Sequence, residues 1–125
     1  MAEAEARYYT VDEANSLLAE LRGRLERIRE ARRTVVGSAE KLKRGATANG
    51  GGAEGSASLE AMAVLRHEVE AMSSQGIVLR DADTGLIDFP ARRDGRLVYL
   101  CWRPDEERVT HWHEVDAGFG GRKPL

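Results

Sequence analysis

One cysteine, three prolines and three histidines in 125 residues leave several classes of protein out of reach. A single thiol closes no disulfide within the chain and cannot supply the paired C-x-x-C clusters of structural zinc domains. No apolar run approaches the roughly 20 residues a membrane helix needs, and the start, MAEAEARYY, lacks a charged-then-apolar signal pattern. A cytoplasmic protein with no membrane partner is expected. Neither sign of charge is in excess: 19 Lys and Arg face 21 Asp and Glu, a net charge of −2. The basic surplus of a dedicated nucleic-acid binder is missing, so nucleic acid is not the expected partner. Aromatics are few and uneven. Tyr8 and Tyr9 stand at the start, whereas Phe89, Tyr99, Trp102, Trp112 and Phe119 all follow residue 85. The bulky core should come from the C-terminal part, with Tyr8 or Tyr9 folding back onto it.

What is present reads as a single α+β domain. Thr10-Val11-Asp12-Glu13 is a capping box, in which the Thr10 hydroxyl can accept from the Glu13 N–H while the Glu13 carboxylate returns to Thr10. From there Ala14, Leu17, Leu18, Leu21, Leu25, Ile28, Val35, Ala39 and Leu42 recur at helical spacing, predicting one long helix over 10–44. Its length would be about 50 Å at ~1.5 Å per residue, and Gly37-Ser38 could bend it. The opposite face alternates sign and reads as solvated. Residues 45–58, GATANGGGAEGSAS, read as a flexible connector. Ser58 then caps a second helix over 59–75, with Leu59, Met62, Leu65, Val69 and Met72 on one stripe and Gly76 as its stop; His67 lies off the stripe. This second helix is about half as long as the first. Pairing the two leaves apolar surface of helix one uncovered, and a second copy of the chain is its simplest cover.

Beyond Gly76 the period shortens. Ile77 to Arg80, Leu86 to Phe89 (stopped by Pro90), Leu97 to Trp102 and Val109 to His113 predict a four-strand antiparallel meander over 77–125, followed by a glycine-rich tail that Phe119 pins. Its last hairpin gathers both tryptophans, the cysteine and two of the histidines. Strand alternation sets Cys101 with Leu97 and Tyr99, and His111 with His113. A one-residue slip of register decides whether Cys101 joins the histidines or Trp112.

The residues able to carry chemistry are Asp88, Cys101, Glu106, His111, His113, Glu114, Asp116 and Arg122. His111 and His113, with Asp88 or Glu114, could form a His/His/carboxylate metal set, against histidines that merely pack. Cys101 with His113 could be a nucleophile and its base, oriented by Asp88 or Glu106, against a small core cysteine. Asp88 and Arg122 could lock the tail as an ion pair or receive an anion. Trp102 and Trp112 read as core or interface rather than a stacking platform.

Thr10-Val11-Asp12-Glu13-Ala14-Asn15, Gly85-Leu86-Ile87-Asp88-Phe89-Pro90, Gly95, Leu100-Cys101-Trp102, Glu106, Trp112-His113, Gly118-Phe119 and Gly121-Arg122 together resemble an uncharacterised prokaryotic family, domain of unknown function 2203. The resemblance spans nearly everything but the glycine-rich connector. It implies no activity and no cofactor, but it selects Asp88, Cys101, Trp102, Glu106, Trp112, His113 and Arg122. His111 falls outside its pattern, which weakens the two-histidine metal set, and Asp105 stands where a glycine is common.

Two functional expectations follow, and neither decides whether the protein is an enzyme. The leading one is a small interaction or structural module that forms a homo-oligomer, a dimer, through helix one and offers its sheet to a protein partner. The alternative is a small enzyme or a ligand- or metal-binding protein whose site gathers Asp88, Cys101, Glu106, His113 and Arg122. A nucleic-acid accessory role through Lys41, Lys43, Arg44 and the helix-one arginines ranks last.

Overall fold

The computed structural model describes residues 7–43 and 52–125. Helix α1 (Val11–Ser16) starts at the capping box, with Glu13 N–H donating to Thr10 Oγ1 at 3.0 Å and Thr10 N–H donating to Glu13 Oε1 at 2.9 Å. The long helix breaks at Leu17, not at Gly37, and α2 runs uninterrupted over Leu18–Lys43. Helix α3 covers Gly52–Ser74, seven residues earlier than the sequence suggests. The earlier part of the expected connector, and Arg44, lie outside the described residues.

The two helices are therefore similar in length, 26 and 23 residues. Leu21, Leu25 and Ile28 of α2 are buried within the chain itself. Exposed apolar side chains stand on both helices: Val36 and Leu42 towards the end of α2, and Leu59, Met62 and Val69 on α3.

The sheet has five strands, not four, in the order β1 (Val78–Asp81), β2 (Leu86–Arg93), β3 (Arg96–Trp102), β4 (His111–Glu114) and β5 (Lys123–Pro124), each antiparallel to the next. The extra strand comes from the tail, whose Lys123 and Pro124 pair with Trp112 and His111. Strand β2 also continues through Pro90. Beyond Asp88 it has no β1 residue to pair with, so the missing proline N–H costs no ladder bond, and the Pro90 carbonyl accepts from Tyr9 N–H at 2.8 Å instead. That bond draws in the N-terminal arm. Tyr9 packs edge-on against Phe89 with ring centroids 5.5 Å apart, and its hydroxyl donates to the Gln75 carbonyl at 2.5 Å.

Register then sorts the side chains. Ile87, Phe89, Ala91, Val98, Leu100, Trp102 and Trp112 share one face and form a single core with Ala14, Leu18, Leu21, Leu25, Ile28 and Met72 from the helices. Full burial of a side chain of leucine or phenylalanine size contributes about 1.5–3 kcal/mol, so this layer dominates the stability. Both tryptophans are core residues. Gly85, in the β1–β2 turn, has φ +78°, and a Cβ there would lie 2.8 Å from Pro104 Cγ, so both backbone angle and space demand glycine.

Across the helical layer, Glu68 is buried and accepts from Arg24 Nη1 and Arg27 Nε, each at 2.8 Å. Burial works against its charge, but the hydrogen bonds and charges of Arg27 and Arg24 outweigh that and hold its pKa below the ordinary value of 4.5. A lowered folded pKa gives stability that is complete above the unfolded value and lost as pH falls through the folded one. Glu68→Gln should lower the unfolding midpoint at pH 7, and its difference from wild type should shrink as pH drops below 4.5. Thermal melts across that range check it; a difference that stays constant in acid contradicts the assignment.

Candidate metal centre

The opposite sheet face is built differently. Asp88 stands across from Cys101, and Cys101 across from His111, while Tyr99 pairs with His113. Directly paired residues point the same way, so Asp88, Tyr99, Cys101, His111 and His113 share this face. The register thus sets Cys101 with the histidines and Trp112 with the core. Asp88, Cys101 and His113 are each at most 2% exposed, and one potential ligand atom from each lies within 4.8 Å of the others.

Hydrogen bonding fixes the orientation of the cluster. A carbonyl oxygen can only accept, so His113 Nδ1–H donates to the Glu114 carbonyl at 2.7 Å, and Nε2 faces Asp88 Oδ2 at 2.9 Å. Protonated at both nitrogens, His113 is an imidazolium paired with Asp88. Deprotonated at Nε2, it presents a lone pair to the cluster. Arg80 Nε donates to the same Oδ2 at 2.7 Å, and its guanidinium stacks on Tyr99 at 5.0 Å. The other carboxylate oxygen, Asp88 Oδ1, is buried with no hydrogen-bond partner among the described residues. A buried carboxylate oxygen without a hydrogen-bond donor is costly, and in a native protein it calls for an explanation.

Burial, then the Asp88 carboxylate, pushes the Cys101 thiol from 9.0 up to about 12, with Arg122 pulling it down and Glu106 adding to the rise. Both nitrogens of His113 are already engaged. The raised pKa keeps Cys101 as a thiol rather than the thiolate that a nucleophile needs.

A pocket of about 290 Å³ opens over the cluster. Its floor is Asp88, Cys101 and His113, and its walls include Arg80, Leu86, Val115, Asp116 and Phe119. The tail makes the outer wall: after β4 it turns back through Gly118, at φ +68°, into a short 3-10 helix, Phe119–Gly121. Phe119 lies between the guanidinium groups of Arg103, at 4.9 Å, and Arg122, at 4.6 Å. Arg122 Nη2 donates to Glu106 Oε2 at 2.7 Å, and Glu106 Oε1 accepts from Arg103 N–H at 2.9 Å. Arg122 is thus bound to Glu106, which replaces the ion pair with Asp88 read from the sequence.

Of the five residues expected to form one site, Asp88, Cys101 and His113 line the pocket, whereas Glu106 and Arg122 do not line it and pair with each other beside the tail. His111 is not in the cluster. Its half-buried ring meets the Thr110 hydroxyl through Nδ1 at 2.9 Å, and Cys101 takes the place that the two-histidine set gave it. Arg80 was missed. Its signal was available in the β1–β2 turn, which folds Val78 and Arg80 back beside Asp88, but an arginine ending a strand looks like any solvated residue.

The fold and this face define a class: an α+β domain with helices covering one side of an antiparallel sheet and a buried Asp–Cys–His cluster under a small pocket on the other. The chain belongs to the family of uncharacterized conserved proteins DUF2203, whose model matches residues 7–125. No curated protein and no solved structure matches it.

The thiol gives a direct check on this geometry. At pH 8 Cys101 should react with thiol reagents far more slowly in the folded protein than in denaturant, because it is both fully buried and mostly protonated. Equal rates in the two states would mean that the cluster is open or that the register differs.

Proposed function

We propose that the protein binds a divalent transition-metal ion, zinc first among them, through Asp88, Cys101 and His113, and presents its open coordination position to a small molecule in the pocket. The observation carrying this reading is the buried, unpartnered Oδ1 of Asp88 beside a thiol and an imidazole nitrogen. One thiolate, one imidazole and one carboxylate suit a borderline-soft ion, and three protein ligands with a fourth position free is the pattern of catalytic rather than structural zinc. Ligand atoms of a tetrahedral centre lie about 3.3–3.8 Å apart, given bonds of ~2.0–2.3 Å, so small side-chain movements close the set. His113 already has the outer hydrogen bond to a carbonyl that orients metal-bound imidazoles. Binding takes the place of the Cys101 thiol proton and uses the Nε2 lone pair of His113, and the bound ion would polarise water or a carbonyl group. A thiolate ligand suits a reducing, cytoplasmic setting.

Wild-type protein purified without chelator should carry zinc near one equivalent by mass spectrometry of metals, and the cobalt-loaded form should show thiolate-to-cobalt absorption. Cys101→Ser and His113→Ala should each weaken zinc binding by roughly 100-fold or more. Wild type that takes up no metal when zinc is supplied removes the reading.

A second reading, self-association, is favoured by the exposed stripe on α3, where Leu59 is 69% and Met62 50% exposed. Glu60, Arg66 and Glu70 bring both signs of charge to the same helix, which suits an antiparallel copy of itself. The double variant Met62→Glu, Val69→Glu should keep the wild-type fold and sediment as a monomer while wild type sediments as a dimer. Wild type that is monomeric at every concentration tested overturns this.

A further inference from the structure

Arg80 is the cation of the pocket wall and is only partly used by the protein. Its Nε is committed to Asp88, and the stack on Tyr99 fixes the plane of the guanidinium. Neither Nη nitrogen hydrogen-bonds to a carboxylate among the described residues, and the side chain stays 41% exposed. A guanidinium anchored through Nε to Asp88 and held against Tyr99 by a hydrogen bond and by the stack, with its side chain still part-exposed at the pocket wall, is prepared for a planar two-oxygen acceptor.

The rest of the pocket narrows the acceptor. Leu86, Val115, Ala117 and Phe119 give it apolar walls, and at about 290 Å³ it is at the small end of ligand sites. With both nitrogens of His113 engaged, Arg80 is the wall's main donor. A phosphate group needs more donors than this; a carboxylate with a short apolar body does not. The charges agree. With an ion bound to Asp88 and the Cys101 thiolate, those three sum to zero and Arg80 leaves one positive charge. Asp116 also lines the pocket, but it is exposed at the rim and is screened by water.

We infer that the pocket takes a small organic monocarboxylate, its carboxylate bound by the part-exposed guanidinium of Arg80 next to the Asp88–Cys101–His113 floor and its apolar body against Leu86, Val115 and Phe119. The inference deepens the metal reading by naming the ligand class, but Arg80 supplies its recognition with or without an ion.

The test is calorimetric titration of sodium hexanoate and of hexanamide, its uncharged analogue, into the full chain, zinc-loaded and zinc-free. Hexanoate should bind and hexanamide should not. Arg80→Met should weaken hexanoate by about tenfold or more, as expected for loss of a charge-assisted pair. Arg80→Lys, which keeps the charge but not the fork, should fall between the two and carries the test if the methionine variant does not fold. Equal binding of hexanoate and hexanamide, no binding of either, or hexanoate affinity unchanged in both variants overturns the inference. Metal content is measured on the same samples. An absence of zinc with hexanoate binding intact would sink the metal reading alone, whereas stoichiometric zinc without hexanoate binding would sink the ligand class alone.

Discussion

Cys101 lies opposite Asp88 on one side and opposite His111 on the other, and the rest of the molecule depends on that register. Because strand side chains alternate strictly, one alignment of three strands assigns every residue to a face. Trp102, Leu100 and Trp112 go to the helices, while Asp88, Cys101 and His113 go to the pocket. A slip of one residue would bury the carboxylate in the hydrophobic layer and turn the tryptophans outward. The apolar face therefore enforces the polar one. The free energy holding the cluster together is largely hydrophobic and lies on the other side of the sheet.

That support matters because the cluster is expensive by itself. A carboxylate with almost no access to water is tolerated only when other groups replace its hydration. Arg80 and His113 both serve Oδ2, and nothing among the described residues serves Oδ1. A purely structural ion pair would gain by sharing its donors between the two oxygens. The asymmetric arrangement costs stability.

The tail completes the site from the far end of the chain. Its strand β5 extends the sheet beside β4, and Phe119 is clamped between two arginines that both bond to Glu106. Glu106 also ties this turn to the helical layer, since its carbonyl accepts from Arg22 Nη2 and from the Trp102 indole. One turn thus connects the core tryptophan, helix α2 and the outer wall of the pocket, so the pocket wall is as well anchored as the core.

The sequence by itself determined the elements, because their signals are local. Thr10 and Glu13 announce the helix start, the leucine spacing gives the buried stripe of α2, and alternating runs broken by Gly85 and Gly95 give the hairpins. It also singled out Asp88, Cys101 and His113, residues whose types alone attract notice. It could not place them. Which face Cys101 occupies, that Arg122 takes Glu106 and leaves Asp88 to Arg80, and that the last residues add a fifth strand are all matters of pairing between distant segments. Strand pairing is decided by the summed burial of a whole face, which no window of sequence contains. Tertiary structure settled these points, because only the folded sheet brings its two faces and its far end into one set of contacts.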